Sequence, residues 1–343
     1  MLRLFGTLVT VLCAIAVAIL TWPQFFRVER VWPIAQIVSF RGILVVCFAA
    51  AFVLMLLLML IRPIRPLTAS LAVIALVGAA AGGVIVFSRG LGTDALPAKA
   101  AASLRVMTWN TEGAATSPET IARTAVAMDA DIVTLPETTI DTGAKVAVAM
   151  RGLGHPMWAY HTQYGAHGWD ASSTTMLISP DLGTYSVIES SADGSSNTST
   201  VPSAVAMPTD GKGPIIVAAH AVAPRQDYMA AWKHDLQWIA DQCSAGNVIL
   251  AGDFNATVDH MGGFGVDGGL MGRCRDAGDA TGTGGVGTWP TAMPALAGAP
   301  IDHVMATPDW TVTGSVVLTS LDGSGSDHRP LIVQLDPTGG GAK

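Results

Sequence analysis

Charged residues are scarce in this chain of 343 residues: Asp, Glu, Lys and Arg make up 13% of it, whereas apolar residues make up 50%. That balance excludes an ordinary soluble domain, in which about a quarter of the residues carry charge. Basic residues are especially scarce after residue 100, where 11 Lys and Arg stand against 24 Asp and Glu. A nucleic-acid-binding domain usually carries a basic surface, so this part of the chain departs from that class.

Cysteine is also scarce, with four residues in the whole chain, which excludes a disulfide-rich scaffold. Cys13 and Cys47 lie in apolar runs, and Cys243 and Cys274 lie in the polar part. The latter two could form a disulfide outside the cytosol or remain two buried thiols. The sequence leaves both alternatives open.

Long apolar runs are abundant in the first ninety residues. Three of them, at about residues 4–20, 43–61 and 71–87, contain no charge. Each is close to the roughly 20 residues that a helix needs to cross a bilayer. A cleaved signal peptide would explain the first run alone. We therefore predict a membrane anchor with three transmembrane helices over residues 1–88.

The arginines near the runs bear on orientation. Arg62 and Arg65, in the tight link between the second and third runs, favour that link and the amino terminus inside. Arg27, Arg30 and Arg41 favour the opposite arrangement. We expect a multi-pass protein of the cell membrane whose polar part is extracytoplasmic.

Polar residues follow apolar runs repeatedly in the polar part. A small-residue linker is predicted at residues 89–103, an α+β domain at 104–336 and a tail at 337–343. Apolar, partly β-branched segments end at Asn110, Glu137, His220 and Asp253. This recurrence predicts a sandwich with a site along one edge of its sheets.

Six short motifs occur in a characteristic order: "TWN" ending at Asn110, "LPET" around Glu137, "VAAH" ending at His220, "GDFN" from Gly252, "IDH" ending at His303 and "SDH" ending at His328. Over about residues 104–335 the chain resembles the endonuclease/exonuclease/phosphatase superfamily. The resemblance implies a DNase I-like four-layer α/β sandwich, here preceded by three transmembrane helices. Pro136 stands where the family usually has Gln.

The resemblance also implies hydrolysis of a phosphoester by in-line attack of water. The reaction needs a counter-charge on the phosphoryl oxygens, which a hard cation with oxygen ligands supplies. The implied cofactor is Mg²⁺, with Mn²⁺ possible. Glu137 is the first expected ligand, and Asn110 and Asp327 are further ligands, direct or through water.

The remaining expected site residues act on water and phosphate. Asp253 would orient the attacking water, and Asn255 would donate its amide to a phosphoryl oxygen. His220 and His328 would contact the phosphate as donors or proton carriers. The resemblance gives Asp302 the role of orienting His328, and we expect His303 to pack or turn the chain.

Simpler interpretations exist for several of these residues. Asp253 and Asn255 could form only an Asx turn after a strand. His155, His161 and His167, with aromatic neighbours, could form a second metal site or a hairpin loop. Trp289 is expected to pack beside the site, and Arg225 could touch a phosphate.

The sequence leads to two hypotheses of function, which belong to different classes. The first is a membrane-tethered, metal-dependent phosphoesterase acting on nucleic acid, a phospholipid headgroup or a small phosphodiester. The second is a catalytically inactive member of the same fold that binds a ligand or partner. The expected partners are the lipid bilayer and the phosphoester, with no obligate protein partner evident.

Overall fold

The computed structural model describes residues 2–92, 95–165, 170–192 and 194–339. Its amino-terminal part is helical, with elements α1 (Leu2–Thr21), α2 (Ile34–Ser39), α3 (Arg41–Leu58) and α4 (Arg65–Arg89). Among the described residues, α1, α3 and α4 are long and apolar enough to cross a membrane by length and composition. Each matches one predicted apolar run.

The helix α4 packs against both α1 and α3. Its buried face carries small residues, among them Ala72, Ala75, Gly78 and Gly82. Small side chains let helix backbones approach closely, which is the packing expected between helices in lipid. These three helices therefore form one bundle, which we call the anchor together with the connecting segment 22–40.

Alternating strands and helices build the rest of the chain. The first half contains β1 (Leu104–Thr108), α5 (Pro118–Ala127), β2 (Ile132–Pro136), α6 (Ile140–Gly152), β3 (Trp158–Gln163), β4 (Ser173–Ile178) and β5 (Tyr185–Val187). The second half contains β6 (Ala204–Pro208), β7 (Ile215–His220), α7 (Met229–Gln242), β8 (Val248–Asp253), β9 (Arg275–Asp276), α8 (Ala277–Thr281), β10 (Asp302–Ala306), β11 (Trp310–Val317) and β12 (Leu331–Pro337).

Two six-stranded sheets result, with strand orders β11-β12-β1-β2-β4-β3 and β5-β6-β7-β8-β10-β9. Their facing sides share one core, which includes Ile132, Met176, Ile216 and Val304. Helices α5 and α6 cover the outer face of the first sheet, and α7 covers that of the second. The four-layer sandwich predicted from the sequence is confirmed.

Strand direction brings the polar strand ends to one edge of the sandwich. β1 and β2 are parallel, and so are β7 and β8, so their carboxyl ends coincide within each sheet. β10 runs antiparallel to β8, and its first residue, Asp302, lies opposite Asp253. Gly252 allows this tight arrangement because a Cβ there would lie 1.9 Å from the Ala219 carbonyl oxygen.

One disulfide and two polar contacts of the linker fasten the sandwich. Cys243 and Cys274 form a disulfide that joins the end of α7 to the segment before β9. The described part of the predicted linker lies against the sandwich, since the Lys99 ammonium pairs with Asp131 at 2.8 Å. The Gln334 amide also donates to the carbonyl of Ala98.

The anchor meets the sandwich at a buried aspartate. Asp259 accepts hydrogen bonds from the guanidinium of Arg41, at the start of α3, with both distances 2.7 Å. It also accepts from the guanidinium of Arg89, at the end of α4, with both distances 2.8 Å. The Gln24 amide adds a further hydrogen bond of 3.0 Å. We call this group of residues the Asp259 junction.

Burial alone would raise the pKa of Asp259, but the hydrogen bonds and charges of Arg89 and Arg41 hold it well below its usual range. The neighbouring His260 uses its Nε2–H to donate to the carbonyl of Ala35 in α2. Its Nδ1 accepts from the backbone N–H of Thr257. The anchor is thus joined to the sandwich by buried polar contacts.

Candidate functional site

All eight residues expected at the site lie together at the shared edge of the two sheets. Side-chain contacts of 3.8 Å or less link each of them to at least one other member. The set is Asn110, Glu137, His220, Asp253, Asn255, Asp302, Asp327 and His328. Six separate stretches of chain supply them.

Asp253 ends β8 and is buried at the centre of this group. Its Oδ1 accepts from the backbone N–H of Asn255 at 2.8 Å, which is the hydrogen bond of an Asx turn. Its Oδ2 accepts from the Asn110 amide at 3.0 Å and lies 3.8 Å from His328 Nε2. The turn and the site are therefore one structure, because the turn fixes the carboxylate that faces His328.

Asn255 lies beyond the end of β8 with φ 47°, so strand alternation does not place it on the face of Asp253. The turn does so instead. Its amide nitrogen donates to the Ala221 carbonyl at 2.9 Å and makes a weaker contact of 3.3 Å with Asp253 Oδ2. The Asn255 amide hydrogen in this weaker contact is the one available to donate to a phosphoryl oxygen.

His328 is buried between two aspartates. Its Nδ1 donates to Asp302 Oδ2 at 2.8 Å, and its Nε2 faces Asp253. Burial alone would lower the pKa of His328, but the charges of Asp302 and Asp253 and the hydrogen bond to Asp302 raise it to about 10. Burial and the charge of Asp302 raise the pKa of Asp253 to about 7. At neutral pH the imidazole is thus a cation beside an aspartate close to its own titration point.

His220 ends β7 and is also buried, with its Nε2 3.8 Å from Glu137 Oε1. Burial and the charge of His328 lower the pKa of His220 to about 3. The side chain is therefore neutral at physiological pH. A neutral imidazole suits a hydrogen-bond donor to phosphate.

Glu137 follows β2 and lies partly open to solvent. Burial raises the pKa of this carboxyl, and the hydrogen bond from the Asn110 amide, 3.0 Å long, opposes the rise. Glu137 has φ 56° and Glu112 has φ 48°. Positive φ costs a residue with a side chain about 1–3 kcal/mol and concentrates at functional sites.

Glu112 was missed by sequence reasoning. Its Oε2 accepts from the backbone N–H of Asp327 at 3.2 Å, and its own N–H donates to Asn110 Oδ1. It therefore adds a third carboxylate at the open side of the site. Its place two residues after Asn110 puts it near the site, but its contact with Asp327 depends on the fold.

Trp289 contacts the site directly, since its indole N–H donates to Asp327 Oδ2 at 2.7 Å. The backbone N–H of Thr291 also donates to the carbonyl of Asp327. Asp327 Oδ1 lies 3.8 Å from His328 Nε2. The loop after Trp289 thus holds Asp327 beside the buried pair.

The donor chemistry fits a hard divalent cation, because Glu137, Asp327 and Glu112 offer carboxylate oxygens and two of them are partly exposed. Asn110 fits less directly, since its amide nitrogen faces Glu137 and its Oδ1 accepts from Glu112. Another group of possible ligands, Asp253, Asp302 and His328, has its ligand atoms within 4.8 Å of one another. We assign that group to holding a proton, since Asp302 already takes the His328 Nδ1–H.

The other residues singled out in the sequence lie apart from this chemistry. His303 is buried and donates to Asp276 at 2.7 Å and to the Ala256 carbonyl at 2.8 Å. His155 donates to the Ala130 carbonyl, and His167 lies outside the described residues. Arg225 is exposed on the loop after β7.

Comparison with known proteins agrees with the fold. The structure is similar to an endonuclease/exonuclease/phosphatase from Beutenbergia cavernae, with 20% identity, a TM-score of 0.52 and coverage of 69% of this chain and 72% of that one. It is similar to humanized D. rerio TDP2, with 16% identity, a TM-score of 0.52 and coverage of 69% and 100%. A family protein from Leptotrichia buccalis shows 13% identity, a TM-score of 0.54 and coverage of 68% and 99%.

No curated protein sequence matches the chain. The family model described as "Endonuclease/Exonuclease/phosphatase family" matches residues 107–328, which contain the whole set of site residues. This match spans well over half of the chain. The chain therefore belongs to the endonuclease/exonuclease/phosphatase family.

Proposed function

We propose that the protein is a membrane-anchored, divalent-metal-dependent phosphoesterase that hydrolyses its substrate by in-line attack of water. The family is one of phosphoester hydrolases, which gives the reaction class in general terms. One observation carries the assignment to this chain: cationic His328 is buried between Asp302 and Asp253 beside the more exposed Glu137 and Asp327. That arrangement suits a group whose negative charge increases as it reacts.

Asp253 takes the proton of the attacking water. Its pKa of about 7 matches a general base that works near neutral pH. The water oxygen bonds to phosphorus while the bond to the leaving oxygen breaks, and solvent protonates the leaving oxygen. The Asx turn holds Asp253 at one orientation during this step.

His328 donates through Nε2 to a phosphoryl oxygen, and Asp302 fixes its ring through Nδ1. Neutral His220 and the amide of Asn255 are further donors on the same group. Glu137 and Asp327, with Asn110 or Glu112 completing the set, would hold Mg²⁺ or Mn²⁺, which supplies counter-charge to the phosphoryl oxygens. The residues of this chain then bind the phosphoryl group, orient the attacking water and remove its proton.

An extracytoplasmic sandwich is part of the proposal. The Cys243–Cys274 disulfide supports it, since disulfides persist outside the cytosol. Asp259 offsets one of the two charges of Arg41 and Arg89, and Glu29 pairs with Arg30 at 3.0 Å, so these carboxylates reduce the positive charge next to the sandwich. Arg62 and Arg65, at the opposite end of the bundle, are exposed and favour the cytoplasmic side.

The full chain, purified in detergent, should hydrolyse bis-p-nitrophenyl phosphate with Mg²⁺ or Mn²⁺ and lose activity in chelator. Asp253→Asn should lower kcat by about 10²- to 10⁴-fold, the contribution of a general base. The matched control is Asp241→Asn, at an exposed position on α7, which should leave kcat unchanged. Normal turnover by Asp253→Asn would refute the mechanism, and absence of hydrolysis with either metal would support the inactive alternative.

A further inference from the structure

The catalytic edge of the sandwich is also the edge that docks on the anchor. The indole of Trp289 donates to Asp327 on one side, and on the other its ring lies 5.9 Å from the ring of Phe40. Phe40 immediately precedes α3, which begins at Arg41. A single side chain therefore separates the carboxylate of Asp327 from the end of a membrane-crossing helix.

A second contact brings the opposite flank of the site to the anchor. The amide of Gln36, in α2, donates to the carbonyl of Pro224. Pro224 lies on the loop that follows β7, three residues after Ala221, whose carbonyl accepts from Asn255. The loop after β7 and the loop that carries Trp289 thus both rest on the segment between α1 and α3.

The loop after Trp289 reaches the helix α3 itself. A Cβ on Gly42 would lie 1.9 Å from the carbonyl oxygen of Leu296, so the loop and the helix backbone touch. Arg329, which is fully buried, holds this loop by donating to the carbonyls of Thr291 and Met293. The loop is therefore fastened to the sandwich by Arg329 and contacts the start of α3.

Exposed apolar side chains occur both on this loop and on the connecting segment of the anchor. On the loop, Met293 and Leu296 are 38% and 47% exposed. On the connecting segment of the anchor, four aromatic residues are exposed: Trp22, Phe25, Phe26 and Trp32. Aromatic residues next to transmembrane helices gather at the level of the lipid headgroups. We call these six residues the interfacial collar.

The charge of the sandwich limits the substrate class further. From residue 101 onward the net charge is −13, which repels a long polyanion. A lipid phosphoester presents one headgroup and reaches the site by lateral diffusion, without a basic groove. The collar and the docked loops lie where such a headgroup would be.

Building on the proposed function, we propose that the substrate is a lipid-borne phosphoester, taken from the leaflet that surrounds the ends of α1, α3 and α4 next to the sandwich. The Asp259 junction fixes the sandwich in this orientation, and the collar places the site at the headgroup level. Leu296 and Met293 contact the acyl region beside the bound headgroup. The same site would handle a soluble phosphoester less efficiently.

A pair of synthetic diesters tests this proposal: hexadecyl p-nitrophenyl phosphate and ethyl p-nitrophenyl phosphate share the leaving group and differ in the chain. The full-length protein in a phosphate-free detergent such as dodecyl maltoside is assayed with each. We expect kcat/KM at least tenfold higher for the hexadecyl ester, with a rate that follows its mole fraction in the micelles. Equal or faster hydrolysis of the ethyl ester, or of a thymidine oligonucleotide, would overturn the lipid assignment while leaving the phosphoesterase intact.

If the protein hydrolyses none of these three substrates, the two diesters and the oligonucleotide, the proposed function itself is refuted. A variant pair separates the collar from simple partitioning of the ester into micelles. Leu296→Asp should lower the hexadecyl-to-ethyl ratio at least threefold. Val148→Asp, at a 67% exposed position on α6, should leave the ratio as it is. An unchanged ratio in Leu296→Asp refutes the collar. Where this variant does not fold, the comparison of the two esters and the oligonucleotide with the unaltered protein still tests the lipid assignment.

Discussion

Replacing Asp259 by Asn should weaken the contact between the anchor and the sandwich, with little change in the shape of the side chain. Asp259 Oδ2 accepts from Arg41 Nε and Arg89 Nη1, and an amide nitrogen there would face both guanidinium groups. Two charge-assisted hydrogen bonds of about 1.5–3 kcal/mol each are lost. Removing one partner of a buried ion pair lowers the free energy of unfolding by a similar amount, about 3–5 kcal/mol. For a chain of 343 residues, with an unfolding entropy of about 2.1 cal/mol/K per residue, that predicts a fall in Tm of about 4–7 °C.

Thermal unfolding of the detergent-solubilised protein, followed by tryptophan fluorescence, measures this change. The matched control is Asp267→Asn, because that carboxylate is 81% exposed and lies 4.0 Å from Arg273. Exposed pairs contribute little, so its Tm should move by less than about 2 °C. A double variant with Arg41→Gln should lose less than the sum of the single losses. If Asp259→Asn lowers Tm no more than the control does, the junction does not hold the two parts together.

Two further predictions concern titrating groups. Asp302→Asn should lower kcat by about 10²- to 10⁴-fold. It should also move the alkaline limb of the pH–rate profile to lower pH, because Asp302 helps to hold the pKa of His328 near 10. An alkaline limb that stays in its original place would count against that role of Asp302. Burial lowers the pKa of His260 to about 4, so stability present above pH 6.5 should be lost as the pH falls towards 4, by at most about 3 kcal/mol. Unfolding midpoints measured across this pH range give the loss of stability. In His260→Gln the stability should depend less on pH. If the variant shows the same pH dependence, other groups cause the loss.

The site could be located from the sequence because its residues follow strands. Asn110, Glu137, His220 and Asp253 stand at or just beyond the ends of strands whose apolar composition is plain, and parallel pairing brings such ends together. The apolar runs likewise predicted α1, α3 and α4, since length and the lack of charge determine whether a helix can cross a bilayer. Periodicity and composition are local signals, and these features depend on them.

Features that depend on distant contacts could not be predicted. Asp259 is followed by His260 in a segment without strand character, and its two arginine partners are 218 and 170 residues away. The helix α2 has only six residues, too few for a periodic pattern. Glu112 becomes part of the site only through the approach of Asp327 from the far end of the chain. Tertiary packing determines all three.

The Asp259 junction joins the apolar helices of the anchor to the sandwich through buried, charged hydrogen bonds. Without residues 1–92, the sandwich would retain a carboxylate in a recess shaped for two guanidinium groups, with water as its only partner. Arg41 and Arg89 would likewise leave uncompensated charge at the headgroup level. Substitutions at these three positions must therefore be compatible with one another, so a change in the anchor restricts which residues the soluble layers tolerate.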